Sequence, residues 1–327
     1  VTTKQRIAVI GAGIAGLSAA RRLATAHSQP MVFDKARRPG GRVSTRRTHE
    51  FAFDHGAQYF TCRAPAFESL VSDWCLRGVA ARWEAPIITL ANGVRGGARG
   101  EPARYVGVPG MSALARDLAA DFDVACEERI ARIARSSGRW SVISDAGRVF
   151  DGFDAVVIAT PAPQATPLLA VVPEFAARVA AVQMQACHVA MLVFAEPFGV
   201  DFGGAFVAES PLAWVARNGT KPGRASGECW VLQTTPEWST AHLEQSPEAV
   251  TAELLDALGA ALGCALPPTI LRASHRWLFA RSDRPLGHPF LWDPDVGLGV
   301  CGDWTLGGRV ENAFLSGDQL GIAMLGE

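Results

Sequence analysis

The chain has 327 residues, enough for two domains around one cofactor. Its 31 basic and 32 acidic side chains nearly cancel, which argues against a nucleic-acid surface. With 49% apolar residues but no apolar run of the roughly 18 needed to cross a bilayer, it reads as a well-packed soluble enzyme without a membrane partner. The first apolar run is Ile7-Ala8-Val9-Ile10, followed by Gly11-Ala12-Gly13-Ile14-Ala15-Gly16 and then Leu17 to Leu23. This pattern predicts strand, glycine turn and helix, with no signal peptide. Gly11 permits the turn, Gly13 lets backbone approach a pyrophosphate, and Gly16 lets the helix pack on the strand. The helix aims its free N–H groups at the phosphates. A second strand, Pro30 to Phe33, ends at Asp34, about 20 residues after the last glycine, where a carboxylate can hold a ribose hydroxyl. Dinucleotide binding is the expectation.

Asp34-Lys35-Ala36-Arg37-Arg38-Pro39-Gly40-Gly41-Arg42 continues as a basic loop. Gly41 allows close backbone approach, and Arg42 offers a forked donor for phosphate oxygens. Arg37 and Arg38 read equally as a solvated face. The loop resembles the extended FAD-binding signature of the glutathione-reductase-like flavoproteins, in the branch that includes amine oxidases. That resemblance implies FAD, held without a covalent bond.

Further along, Met111 to Leu118 predicts a helix capped by Ser112. Residues 123–126, 130–133 and 140–143 read as short strands, and Asp154 to Ile158 as a buried parallel strand ended by Pro161. Residues 188–194, 205–207 and 229–233 read as antiparallel strands, and Ser246-Pro247-Glu248 starts a helix that runs to about Leu262. Near the end, Val296 to Cys301 is a strand ending in Gly302-Asp303, followed by Gly307-Gly308-Arg309-Val310 and a helix from Phe314 to Leu325. In the superfamily that the basic loop resembles, such a Gly-Asp puts a carboxylate on the cofactor's ribityl or phosphate side. The last helix then points at the flavin, which makes Asp303 and Val310 the expected contacts. Lys35, Ala57, Gln58, Tyr59, Ile130, Thr160 and Arg309 are also placed at the FAD, with Gln58 and Tyr59 shaping the flavin face. Glycine-bearing units at both ends require a discontinuous domain. The expected fold is α/β, a Rossmann-like FAD domain of residues 1–61, 109–163 and 293–327. A mixed α+β substrate domain of residues 62–108 and 164–292 completes a p-hydroxybenzoate-hydroxylase/amine-oxidase-like architecture. Seven scattered cysteines show no CxxC or zinc spacing, so they read as reduced cytoplasmic thiols and no metal is expected; Cys301 reads as core.

Asp54-x-Gly56-Ala57-Gln58-Tyr59-Phe60, Pro109-x-Met111-Ser112, Ala159-Thr160-Pro161-Ala162-Pro163-Gln164, Trp214-x-x-Arg217-Asn218-x-x-Lys221-Pro222-Gly223-Arg224, His275-Arg276-Trp277 and Cys301-Gly302-Asp303-Trp304 together resemble the bacterial renalases. The resemblance spans almost the whole chain. It implies oxidation of 1,2- and 1,6-dihydro isomers of NAD(P) to NAD(P)+, with O2 taking the electrons as hydrogen peroxide. Such a dinucleotide needs stacking at hydride distance and partners for its carboxamide. Gln58, Asn218 and His275 are candidates for the carboxamide. Tyr59, Trp214, Trp277 and Trp304 are candidate walls. Arg217, Lys221 and Arg224 could meet a substrate phosphate. Trp214, Trp277 and His275 read equally as core, and Lys221 and Arg224 as a solvated turn. The alternatives are an amine oxidase or desaturase-like dehydrogenase on the same fold, or a flavin-binding protein without turnover.

Overall fold

Residues Ile7 to Ile10 are buried on both faces of the strand Gln5–Ile10, as an uninterrupted apolar run requires of a central parallel strand. The computed structural model describes residues 4–25, 27–48, 50–97, 100, 102–225 and 227–326; the outermost bounds of the expected domains, Val1 and Glu327, lie outside them. Gln5–Ile10 sits in a six-stranded sheet with the order Phe290–Asp293, Leu298–Cys301, Ala155–Ile158, Gln5–Ile10, Ser28–Phe33, Val124–Ala125. All pairings are parallel except that of the edge strand Phe290–Asp293. The parallel strands therefore end together. Gly11, Asp34, Thr160 and Asp303 gather along one edge, where open α/β sheets bind ligands.

Helices Ile14–Leu23, Ser112–Leu118 and Val310–Leu325 cover one face of this sheet. A three-stranded antiparallel sheet (Ile130–Ser136, Arg139–Ser144, Val149–Phe153) and helix Pro173–Ala180 cover the other. The discontinuous Rossmann-like architecture is as expected. Two helix starts differ in detail. Ser112 is the first helical residue, not the cap. The Met111 N–H instead donates to Asp54 Oδ1 at 2.9 Å and the Ser112 N–H to Thr45 Oγ1 at 3.1 Å, so a neighbouring hairpin caps this helix. The last helix begins at Val310 rather than Phe314, one residue past the extended Arg309.

The second layer is a seven-stranded sheet in the order Thr269–Ser282, Met184–Phe194, Glu228–Thr234, Leu212–Arg217, Gly204–Ala208, Ile87–Ala91, Val94–Arg95. Alternation decides its faces. Ala190, Leu192, Val215, Trp230 and Leu232 pack under helix Pro247–Leu262. That helix is capped by Ser246 Oγ, which accepts the Ala249 N–H. Val189, Met191, Val193, Cys229 and Val231 face the opposite way, against Phe53 of the hairpin Thr45–Thr48/Phe51–Asp54. Cys301 is buried core, as expected. Among the described residues no helix is long and apolar enough to cross a membrane, and no His/Cys/Asp/Glu group is arranged to hold a metal.

The first and last helices are in direct backbone contact. A Cβ at Gly317 would overlap the Ala15 carbonyl, and one at Gly321 would lie 2.6 Å from Arg22 Cβ. The Arg22–Asp318 ion pair at 2.8 Å closes the same contact. Gly317→Val should cost about 1–3 kcal/mol by overpacking. Thermal denaturation checks this, and an unchanged midpoint would contradict the close approach.

Candidate active site

The glycine turn has the geometry its sequence demands. Gly11 has φ +112°, and a Cβ there would lie 2.9 Å from the Ala159 carbonyl oxygen. A Cβ at Gly16 would strike the Gly11 carbonyl, whereas one at Gly13 would meet nothing within 4 Å. Gly13 therefore borders open space at the uncapped N-terminus of helix Ile14–Leu23, beside Ala12, Ile14 and Ala15. Asp34 lies at the next strand end. Its carboxylate accepts the Ala12 N–H at 2.7 Å and the Ala36 N–H at 2.8 Å, one on each oxygen. Each oxygen keeps a lone pair for a ribose hydroxyl. Burial raises the Asp34 pKa, against the pull of these backbone N–H groups. Lys35 reaches outward to Gln164 at 3.2 Å. Ile130 is buried just past Glu128, whose N–H donates to the Asp34 carbonyl at 2.9 Å.

The basic loop folds back over this turn. The Gly40 N–H donates to the Ala12 carbonyl at 2.9 Å, and the Ala57 N–H to that of Arg42 at 2.9 Å. Arg42 is not a free phosphate donor. Its fork closes on Asp303 at 2.5 and 2.9 Å, and it also donates to the Ala280 carbonyl at 3.1 Å. This ion pair joins the two ends of the chain. Arg309 precedes the last helix, where Val310 is the first helical residue, and bonds Thr61 Oγ1 at 2.8 Å and Glu311 at 2.7 Å. Glu311 in turn accepts the Arg63 and Ala64 N–H groups at 2.5 and 2.8 Å, and so caps helix Pro65–Leu76.

The cradle fits an FAD on three counts. Gly13 opens onto space, and two helix N-termini lack side-chain caps. Thr160 Oγ1, at the sheet edge, is buried without a hydrogen-bond partner among the described residues. A side chain at 13 should occupy the cofactor's space without disturbing the apoprotein. Gly13→Val should keep its far-UV circular dichroism and lose bound flavin absorbance. Retained FAD would contradict this placement of the pyrophosphate.

Above the cradle stands a wall that contains Trp214 and His275 of the sequence candidates and adds Phe206, Gln233 and Val189. Phe206, Trp214, Gln233, Val189 and His275 are direct register partners across five strands of the large sheet. They therefore share one face. Gln233 Nε2 donates to the Gly56 carbonyl at 2.7 Å, which sets that face over the Gly56–Ala57 peptide. Trp214 packs its ring 5.4 Å from Tyr59 and 4.8 Å from Phe206. At the other end, His275 lies 4.4 Å from Trp277 and 4.9 Å from His55. Trp277 Nε1 donates to the His55 carbonyl at 2.9 Å. Burial, with help from His275 and Arg46, pulls the His55 pKa down to about 4; burial and Arg46 lower that of His275. Both imidazoles are neutral near pH 7. Trp304 lies instead beside the cradle, with Nε1 donating to the Thr160 carbonyl at 3.0 Å.

Gln58 and Asn218 are not open carboxamide partners. Gln58 Nε2 donates to the carbonyls of Asp54 and Gly56, while Oε1 accepts Lys221 Nζ at 3.1 Å. Asn218 Nδ2 donates to the Ala52 carbonyl at 2.7 Å. The expected phosphate ligands are also engaged. Arg217 pairs with Glu228 at 3.0 Å, and Lys221 and Arg224 both close on Asp54 at 3.3 and 2.5 Å. Burial pushes the Asp54 pKa up, but Lys221, Arg224 and the Met111 N–H bring it below the usual carboxylate range. Burial lowers Lys221 to about 8, with Asp54 opposing and Arg224 adding to the fall. A surface depression of about 600 Å³ lined by Lys4, Arg6, His27, Arg139 and Asp154 contributes nothing here. It lies at the amino-terminal end of strand Gln5–Ile10, away from the cradle.

The likeness to known proteins agrees with this arrangement. Residues 9–74 match the NAD(P)-binding Rossmann-like domain. A segment 48% identical over 50 residues is shared with the 4,4'-diapophytoene desaturase (4,4'-diaponeurosporene-forming) of Staphylococcus haemolyticus; it spans 15% of this chain and 10% of that one. A protein of Exiguobacterium sp. 255-15 assigned as a protoporphyrinogen oxidase superposes with a TM-score of 0.81 at 14% identity, covering 100% of both chains. Wild-type putrescine oxidase bound to putrescine superposes with a TM-score of 0.73 at 14% identity, also over 100% of both chains. Residues 66–319, more than half the chain, match the flavin containing amine oxidoreductases. The chain belongs to that family and is an FAD-dependent oxidoreductase.

Proposed function

We propose that this protein oxidises the 1,2- and 1,6-dihydro isomers of NAD(P) to NAD(P)+. The observation that carries this reading is the charge of the wall. Its imidazoles, His55 and His275, are neutral and stand beside Arg46. Among the described residues of the wall and the peptide beneath it, the one carboxylate is Asp54, and two cations already hold it. An ammonium substrate finds no counter-charge there. A neutral dihydropyridine needs none, because its ring nitrogen lone pair expels the hydride without a general base.

The residues then act by position. Trp214, Tyr59, Phe206 and Trp277 offer flat apolar surfaces for the ring. His275, with its neighbour His55, offers neutral hydrogen-bond partners for the carboxamide. Bound FAD would supply acceptance of the hydride and delivery of its two electrons and its proton to O2, which with one further proton from solvent gives hydrogen peroxide. The second reading is oxidation of an amine or desaturation of a polyene. The family, the putrescine oxidase likeness and the desaturase segment support it.

Anaerobic mixing separates the two. The flavin absorbance should bleach rapidly with the 1,6-dihydro isomer of NAD and stay unchanged with putrescine or benzylamine. Bleaching by the amine alone would establish the second reading. The pH profile is a further check. His55 is neutral above its pKa of about 4, so the anaerobic rate should be flat from about pH 6 to 7 and fall in more acid solution. An amine substrate would instead give a rate that rises through this range as the ammonium deprotonates.

A further inference from the structure

The cluster beneath Gly56 carries an unbalanced charge. Asp54, Lys221 and Arg224 have side chains 0%, 0% and 2% exposed, and their formal charges leave one positive charge in excess. Among the described residues, the other groups hydrogen-bonded to them or packed on them are neutral. They include the Thr45 hydroxyl and the Met111 N–H on Asp54, the Gln58 carboxamide on Lys221, the Gly107 and Pro222 carbonyls on Arg224, and the Trp83 ring, 5.4 Å from Lys221 Nζ. An excess charge removed from water is costly unless a negative partner arises nearby. The cluster is coupled directly to the peptide that borders the cradle. Lys221 Nζ donates to Gln58 Oε1, and Gln58 Nε2 donates to the Asp54 and Gly56 carbonyls.

We propose that Lys221 is a positioning and charge-supplying residue that stabilises the reduced, electron-rich state of the flavin over the Gly56–Ala57 peptide. Two electrons and one proton added to a neutral flavin leave one negative charge, which the excess buried cation offsets. Preorganised charge of this kind sets a cofactor's potential without touching its reacting atoms. The proposal rests on the flavin alone and is independent of whether the reductant is a dihydropyridine or an amine.

The test is the reduction potential of bound FAD, read by equilibration with a reference dye. Lys221→Met removes the excess charge and should shift the reduced-to-oxidised ratio toward oxidised by at least about tenfold at a fixed dye potential. Lys221→Arg should restore it. Lys221→Gln keeps a hydrogen-bond donor for Gln58 Oε1 but no charge, and should be as oxidised as Lys221→Met. A purely structural role for Lys221 predicts recovery in Lys221→Gln. An unchanged ratio in Lys221→Met would overturn the proposal, as would a wild-type ratio in Lys221→Gln. If Lys221→Met does not retain FAD, Lys221→Gln decides: a ratio shifted toward oxidised supports the proposal, and a wild-type ratio overturns it.

Discussion

Everything in the site hangs on the buried carboxylate of Asp54. It lies at the end of the hairpin strand Phe51–Asp54 and gathers groups from three other places in the chain. Met111 at the start of a cradle helix donates to Oδ1, and Thr45 across the hairpin donates to the same oxygen. Lys221 and Arg224, from the loop that follows strand Leu212–Arg217 of the large sheet, close on Oδ2. Its backbone carbonyl takes the Gln58 amide. Leaving two buried cations without their carboxylate is a change of the kind that costs roughly 3–5 kcal/mol. The carboxylate therefore fixes how the two layers meet, and with that the position of the wall above the cradle.

The cradle and the wall are aligned by one short segment, Asp54 to Gln58. Its lower side is held by the Arg42 carbonyl, which accepts the Ala57 N–H and leaves no room for a Cβ on Gly56. Its upper side is held by Gln233, which reaches down from the large sheet to the Gly56 carbonyl. Arg42 is in turn forked onto Asp303, so the last helix and the first loop share a position. A hydride transfer is sensitive to displacements of about 1 Å. Chaining the two surfaces through one five-residue stretch limits such displacements.

Much of the cradle was legible because its signals are local. Gly11, Gly13 and Gly16 act within one turn, Asp34 ends the next strand, and Ser246-Pro247 caps its own helix. The discontinuous fold followed from two glycine-bearing units at opposite ends. The wall was legible only in part: Trp214, Tyr59, Trp277 and His275 stood out as residues, but their row is made by register. Nothing in residues 206, 214, 233, 189 and 275 signals that they stand in one row until the strands are paired. The roles of Lys221, Arg224 and Arg217 were misjudged for the same reason. Lys221 and Arg224 look solvated or phosphate-directed until Asp54, distant in sequence, is found between them, while Arg217 closes on Glu228 nearer by. Ser112 lost its capping role to Asp54 and Thr45 in the same way.

The same charge count bears on substrate choice. Two like unit charges about 8 Å apart, in a medium of effective dielectric about 20, repel by about 2 kcal/mol. That is roughly thirtyfold in affinity, and a diamine carrying two charges meets more. Here the imidazoles are neutral, Arg46 adds to the positive field, and Asp54 is already paired. For a neutral ring the field carries no such penalty in the ground state. As the hydride leaves, positive charge builds on the ring while negative charge builds on the flavin. Stacking holds those two opposite charges together, so the field acts mainly on the flavin side, where Lys221 is coupled through Gln58 and Gly56. On the proposed reading, a site of this sign suits a substrate that arrives neutral, and it favours release of a product that leaves as a cation.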